Sequence, residues 1–296
     1  MIKLFCNTHN QTKTIEAEKN ITKKEIVNFK WGIYHKKNSN IWVDEILKKI
    51  EFKAIHDIKN LEKNDVLIIV DSSLERKNDF YNKLNLTCSK ILLIHLGDET
   101  GSHDLSEVYS KCFYVLRTFC SNKYFKSNHV KCIPIGYKSG ISDAKKKDRK
   151  FKWTFTGTPH KSSRHDLLFQ LSDIKPFFCH KTEKFDKKII SVEDMSDIFS
   201  STQFIPCPNG FYHPETYRLY EALQCGCIPI VESAYNYYDR LFPENPFIKI
   251  NKWSEAKPIV NGWSEIQIQK KQNECMNWWR NYKIDLQNIV KHKIEK

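Results

Sequence analysis

Short apolar runs alternate with helix-length amphipathic stretches along most of the chain, the pattern of βαβ units built around parallel sheets. VLIIV at 66–70 is a continuous apolar run that ends in Asp71 and Ser72. A parallel strand buried on both faces reads this way where its carboxyl end opens toward a crevice. A helical stretch, LERKNDFYNKLN, follows it. ILLIHLGDE at 91–99 repeats the pattern, and FYVLR at 113–117 and VKCIPIGY at 130–137 continue it. Together they predict a Rossmann-like, doubly wound domain over residues 1–143.

A second series begins with WTFTGT at 153–158, an alternating strand that runs into a glycine turn. HKSSRHDLLFQLSD then reads as a helix capped by Ser162 or Ser163, with Arg164 in its first turn and Leu167, Leu168 and Leu171 on one face. QFIPCPNG is a strand entering a Pro/Gly turn, HPETYRLYEALQCG a helix from near Pro214 to Gly226, and CIPIVE at 227–232 the next strand. This predicts a second Rossmann-like domain over 150–263. The remainder, 264–296, reads as one helix from Ser264 to about Lys293, long enough to span both halves. Ser264 and Gln267 form a capping box, and Trp263 and Ile268 the flanking hydrophobic staple. Trp278 and Trp279 lie on this helix, where a core role and stacking on sugar are both open.

Composition narrows the class. The 296 residues carry 48 Lys+Arg against 35 Asp+Glu, a formal charge of +13. A hydrophobic content of 40% with 13% aromatics supplies material for two cores and excludes disorder. Nucleic-acid binding is not expected, because lysine is spread along the chain and no recognition module accompanies it. The one dense basic run, KKKDRKFK at 145–152, reads as a solvated connector. No apolar run approaches the roughly 18 residues of a membrane span. MIKLFCNTHN has no apolar core of a secretory signal, so a cytoplasmic protein without an integral membrane segment is expected. The ten cysteines include no C-x-x-C pair, and they read as reduced packing residues without a metal role.

The chemistry concentrates in FIPCPNGFYHPETYRLYEALQCGCIPIVE at 204–232. In its helix Leu219, Ala222 and Leu223 face the core, while Arg218 and Glu221, three apart, share another side. A helix N-terminus after a Pro/Gly turn offers backbone N–H groups to a diphosphate. Arg218 adds a planar cation for phosphate oxygens, and Glu221 can accept from sugar hydroxyls. A simple surface ion pair explains the same spacing, so both readings stand on spacing alone.

TYRLYEALQCGCIPIV resembles the donor-binding signature of the exostosin-like glycosyltransferases (family 47), S/T-x-R-L-x-E-A-L-x-x-G-x-I-P-V. HLGDE at 95–99, VLR followed by IPIGY, and WTFTGTPHKSSRHDLL resemble one branch of that group, the ribitol xylosyltransferase-like proteins and their large-virus relatives. These pieces lie within residues 91–232, about half of the chain. The resemblance implies a GT-B fold of two Rossmann-like domains across a cleft. It further implies a UDP-sugar donor, a glycan acceptor, xylose as the sugar, and no cofactor or metal. It places the donor against Gly157, Thr158, Arg164, Pro208, Asn209, Gly210, Thr216, Tyr217, Arg218 and Glu221. A catalytically inactive GT-B protein that binds nucleotide or glycan is the alternative.

Inversion requires a base for the acceptor hydroxyl. Asp98, at the carboxyl end of a strand, is the first candidate and Glu99 the second; a cap for the following helix explains the same pair. Asp71 is a weaker rival. Arg117 suits either the wall of the cleft or a structural ion pair, and His95 and His160 read mainly as structural histidines.

Overall fold

The computed structural model describes residues 1–6, 41–54, 61–72, 80–82, 84, 90–138, 140–141, 143, 148–183 and 190–296. The helix expected over 74–85 and Lys145 to Lys147 of the basic run lie largely outside the described residues. Contacts divide the chain into two units: Met1–Pro134 with Asp285–Lys296, and Ile135–Ile284. The boundary falls before the stretch at 143–150 where the sequence pattern changes, because Ile135 donates its N–H to Glu215 of the second unit.

The first unit is a parallel sheet of β1 (Ile2–Cys6), β2 (Lys53–Ala54), β3 (Val66–Asp71), β4 (Lys90–His95), β5 (Tyr114–Arg117) and β6 (Val130–Cys132), in the order β2-β1-β3-β4-β5-β6. Strands β3 and β4 pair from Val66↔Lys90 to Asp71↔His95, which brings their polar ends to one edge. Its helices include α1 (Ile41–Leu47) and α2 (Ser106–Ser110). Leu67, Ile69, Leu93, Val108 and Val115 share one core cluster. β1 went unread because Lys3 interrupts its apolar run; the ammonium is buried and paired with Asp65.

One expectation about cysteine is corrected here. Cys120 and Cys132 form a disulfide with Cα atoms 5.7 Å apart, within the reach of a bridge. The register of β5 and β6 sets Arg117 opposite Cys132 and brings Cys120, three residues further on, alongside it. Cys112, Cys179, Cys207, Cys225, Cys227 and Cys275 are free, as expected.

The second unit is a parallel sheet of β7 (Phe151–Gly157), β8 (Phe177–Lys181), β9 (Thr202–Cys207), β10 (Ile228–Glu232) and β11 (Ile248–Ile250), ordered β11-β10-β9-β7-β8. The chain steps from β7 to β8 on one side, then returns to β9 on the other, so the order reverses between β7 and β9. Ligands of doubly wound sheets lie beyond the strand ends at such a reversal. The helices are α3 (Arg164–Leu171), α4 (Val192–Ser200), α5 (Tyr217–Gln224), α6 (Tyr237–Leu241), α7 (Ala256–Gly262) and α8 (Glu265–Glu295). Trp153, Phe155, Leu167, Phe204, Ile230 and Trp253 belong to one core cluster.

Three local expectations change. The helix expected from Pro214 begins at Tyr217, because Thr216 is extended (φ −135°, ψ 149°). Ser163 does not cap α3; its hydroxyl accepts from the Trp253 indole at 2.9 Å. Arg149, in the run read as a solvated connector, donates to the carbonyls of Phe199, Thr202, Cys225 and Gly226 at 2.8 to 3.2 Å. It thereby closes the C-terminal ends of α4 and α5, where helix carbonyls lack partners.

The capping box forms at the start of α8: Ser264 N–H donates to Gln267 at 2.9 Å, and Ile268 is buried. Trp279 is buried and donates to Gln224 at 2.9 Å, while Trp278 packs against Phe242, Phe247 and Tyr282, so both tryptophans serve packing. By contact α8 is shared, with its residues up to Ile284 in the second unit and those from Asp285 in the first. Among the described residues no helix is long and apolar enough to cross a membrane.

Candidate functional site

In the second unit, β7 ends at Gly157 with φ +133°, a conformation suited to glycine. A Cβ there would fall 2.9 Å from Arg218 Nη2. Glycine therefore lets the Arg218 guanidinium close on the strand end, where it donates to the Thr156 carbonyl and lies 4.8 Å from the Phe155 ring centroid. Arg164, the first residue of α3, donates through Nη1 to the carbonyl of buried Thr158 at 2.9 Å. Both arginines are buried, yet Arg218 Nε and Nη1 and Arg164 Nε have no hydrogen-bond partner.

The turn after β9 supplies the other wall. Pro208 is buried, and the Asn209 N–H donates to Glu232 at 2.9 Å while its side-chain oxygen has no partner. A Cβ at Gly210 would sit 2.5 Å from the His213 carbonyl, so the turn folds back too tightly for a larger residue. Thr216 holds the N-cap position of α5 without making a side-chain cap bond, and its buried hydroxyl is unmatched. Tyr217 is half-buried, with Lys138 Nζ 5.7 Å from its ring centroid. One turn into the helix, Glu221 is buried and its Oε1 is unmatched.

Electrostatics agree with the bonding. Burial, and next the adjacent Arg218 charge, lower the Arg164 pKa to about 10, with Glu232 acting the other way. Burial also lowers that of Arg218, against Cys207 and Glu221. Burial raises that of Glu221, opposed by Lys138 and Arg218. Two guanidinium groups that repel one another, with unspent donors beside unspent acceptors, leave room for an anion that also carries hydroxyls. Cys207 and Cys225, buried beside the motif, have thiols pushed up by burial to about 12 and about 11, consistent with packing.

Glu215 is a functional-site neighbour that sequence reasoning passed over. It is buried and accepts from Tyr220, from Tyr237 at 2.6 Å and from the Ile135 N–H at 3.3 Å, with His213 at 3.7 Å. Burial raises its pKa to about 7 despite these bonds. Its place next to Thr216 was the available signal, but a glutamate entering a helix usually reads as a solvated first-turn residue.

In the first unit, the expected residues gather at the ends of β4 and β5. The Asp98 carboxylate is 1% exposed; Arg117 Nη2 donates to its Oδ2 at 2.7 Å, and the Ser102 N–H donates to Oδ1 at 3.0 Å. His103 Nδ1 lies 3.2 Å from the same Oδ1. Asp98 itself has φ +64°, a region that aspartate tolerates better than most residues. It does not cap α2, whose first N–H bonds Asp104. Arg117 also donates to Tyr109 at 2.7 Å and lies 4.7 Å from the Tyr124 ring centroid. Buried His95 bonds the same Tyr109 hydroxyl at 2.7 Å, so its role is structural. Glu99 is half-buried; Asp71 is fully buried, 3.4 Å from the Tyr81 hydroxyl. His160 is exposed and pairs with His165 at 3.4 Å. Among the described residues no group of three or more His, Cys, Asp or Glu could hold a metal ion.

A doubly wound unit with unmatched arginine donors and an unmatched carboxylate at its reversal point offers the polar groups that a phosphorylated, hydroxyl-bearing ligand would match. The chain belongs to the RXYLT1 C-terminal domain family, the ribitol xylosyltransferase family of glycosyltransferases, whose model matches residues 138–296. Its two parallel-sheet, Rossmann-like units and long terminal helix are the elements that the sequence pattern predicts. No curated protein matches the chain. Solved structures of similar shape include Anabaena Alr3699/HepE in complex with UDP and glucose, 9% identical with a TM-score of 0.49, covering 100% of this chain and 99% of that one. An alpha1,3-fucosyltransferase is 12% identical with a TM-score of 0.47, covering 88% and 85%. At that distance neither likeness bears on substrate or mechanism.

Proposed function

We propose that the chain transfers a sugar from a UDP-sugar to a glycan hydroxyl with inversion at the anomeric carbon and without a bound metal. The observation that carries this reading is the set of buried, unmatched polar atoms on Arg164, Arg218, Asn209, Thr216 and Glu221 at the reversal point of the second sheet. In it, Arg164 and Arg218 hold the diphosphate and take up the charge of the departing UDP. A bound anion removes the repulsion between the two guanidinium groups. Glu221 accepts from ribose hydroxyls. Gly157, Thr158, Pro208, Asn209 and Gly210 form the walls, and Thr216 and Tyr217 present the start of α5. UDP as the nucleotide and xylose as the sugar rest on the family.

Asp98 and Glu99 stand at the carboxyl edge of the first sheet, where an acceptor base is expected. Both Asp98 oxygens are already engaged, so its contribution is charge and orientation.

Thermal-shift titration with UDP, UDP-xylose and UDP-glucose tests the donor site, because a ligand of the folded state raises the melting temperature. A UDP-dependent rise that is lost in Arg218→Met is expected, with UDP-xylose giving the largest rise; no shift with any of the three overturns the reading. Transfer that persists in excess chelator is the expected result for metal independence. Loss of transfer that manganese restores would sink that part.

A further inference from the structure

We infer that Glu215 is a positioning residue for the donor: its carboxylate fixes the start of α5, and with it Arg218 and Glu221, by gathering bonds from three separate segments of the second unit. The inference deepens the proposed donor site and rests on it. Thr216 stands at the N-cap of α5 without a side-chain cap bond. Glu215, one residue earlier and 3% exposed, supplies a tie instead. It accepts from the Tyr220 hydroxyl within α5, from the Tyr237 hydroxyl at the start of α6 at 2.6 Å, and from the Ile135 N–H at 3.3 Å. The stretch that carries Ile135 continues to Lys138, whose backbone bonds Glu221. Glu215 and Glu221 are thus held against one strip of chain, and Arg218 lies midway between them.

The bonding set suits an anion. An ionised carboxylate only accepts, and all three partners donate. A proton on Glu215 has to displace one of these donors or turn it round. His213 does not receive that proton, because its Nδ1 already accepts the Glu215 N–H at 3.3 Å and lies 3.7 Å from the carboxylate, beyond hydrogen-bond reach. Neutralising Glu215 therefore loosens a tie among α5, α6 and the strip at 135–138.

The titratable groups that face the carboxyl are Tyr220 from α5, Tyr237 and Tyr238 from α6, Tyr282 from α8 and His213 from the turn. Burial pushes the phenols of Tyr220, Tyr238 and Tyr282 up, away from the neutral range. Burial also raises the Glu215 carboxyl to about 7, against the bonds from Tyr220, Tyr237 and Ile135. Donor and proton are then linked: the donor binds the ionised form better, so its affinity rises as pH rises through about 7. Histidine also titrates near neutrality, and substitution at Glu215 separates its effect from that of His213.

The test is Glu215→Gln in the full chain, which keeps the shape of the side chain without its charge. UDP-xylose and UDP-glucose are titrated calorimetrically, beside melting curves, between about pH 6 and about pH 8, a unit either side of the Glu215 value. A sugar nucleotide is the probe because its diphosphate is esterified at both ends and does not titrate in that range. Wild-type affinity should rise about fivefold over the range, and the variant should bind about tenfold more weakly than the wild type at the upper end, with a flat profile. The melting temperature of the variant there should be no lower than that of the wild type, a separation that loss of a structural contact does not produce. If the wild type binds a sugar nucleotide and the variant binds it within twofold, or if the two pH profiles run parallel, this inference is overturned while the donor-site reading stands. Affinity and melting temperature that fall together in the variant overturn it likewise, and a flat wild-type profile does so whether or not the variant folds. If the wild type binds neither sugar nucleotide, both readings fall.

Discussion

Buried arginines at the carboxyl edges of the two sheets are matched in opposite ways. Arg117 in the first unit meets Asp98 and Tyr109 with its two terminal nitrogens and Tyr124 with its face. Among the described residues, the bonds of Arg164 and Arg218 in the second unit go to neutral carbonyls, those of Thr158 and Thr156. The Nε of all three is unmatched, so the difference lies in the terminal nitrogens and their partners. Charge follows bonding: burial works against the Arg117 cation, but Tyr109 and Asp98 outweigh it and its pKa rises, whereas that of Arg164 falls to about 10 and that of Arg218 falls too. A guanidinium compensated inside the protein belongs to the scaffold. One left uncompensated fits the anion proposed for Arg164 and Arg218.

The largest effect expected from this contrast is on stability. Arg117→Met leaves the Asp98 carboxylate buried without its partner, and losing one member of such a pair costs about 3–5 kcal/mol. Urea unfolding monitored through the first unit measures it. Adding Asp98→Asn to Arg117→Met should recover part of the loss, because the orphaned charge is then gone. A single variant as stable as the wild type would break the comparison at its first term.

Glu215 sharpens the contrast from inside the second unit, as a charge that is hydrogen-bonded and still disfavoured. Its pKa is raised from 4.5 to about 7 by burial. Between those values the folded chain holds more protons than the unfolded one. Its contribution to stability is therefore fully present below about pH 4.5 and is lost as pH rises through about 7. At about 1.4 kcal/mol per unit the loss amounts to about 3 kcal/mol. Glu221, also raised by burial, adds in the same direction. Melting temperatures recorded across this window should fall for the wild type and fall less for Glu215→Gln. Parallel curves would show that Tyr220, Tyr237 and the Ile135 N–H stabilise the carboxylate fully.

Arg218→Met should do the reverse of Arg117→Met. Removing a guanidinium that repels Arg164 leaves the ligand-free protein as stable as before or more so, while UDP affinity falls by about a hundredfold, the scale of losing one buried charge partner. Calorimetric titration with UDP beside thermal unfolding gives both numbers. Equal losses of stability and affinity would mean that Arg218 is scaffold like Arg117.

How far these features could be read beforehand depends on whether neighbours in space are also neighbours in sequence. Both parallel sheets were legible because strands covered on both faces appear as unbroken apolar runs, VLIIV being the clearest. The long terminal helix was legible from Ser264 and Gln267, three residues apart. The elements of the proposed donor side were legible because strand, turn and helix follow one another from Phe204 to Gln224. Arg149, Glu215 and the Cys120–Cys132 bridge were not. Arg149 is charged in a lysine-rich run, and its carbonyl partners lie 50 to 77 residues away. Glu215 looks like a solvated first-turn residue until Tyr237 folds over it. The strand β1 was hidden by Lys3, whose charge is cancelled by distant Asp65. For Arg149 and Lys3 the determining partner is remote, and the two cysteines, 12 residues apart, are brought together by the pairing of β5 and β6.

The smallest expected effect separates charge from shape within the arginine pair. Arg164→Lys keeps a cation at the start of α3 but replaces a planar fork by a point charge, losing the shared geometry of one N–H on Thr158 and others toward the anion. Affinity for UDP should fall about tenfold, or about 1.4 kcal/mol, with little change in melting temperature. At Arg117 the same exchange should leave UDP affinity alone and lower stability, since a single ammonium cannot reach Asp98 and Tyr109 as two guanidinium nitrogens do. Paired titrations of Arg164→Lys and Arg117→Lys place the two effects on one scale. If Arg117→Lys weakens UDP binding while Arg164→Lys does not, the division between scaffold and binding arginines is drawn the wrong way round.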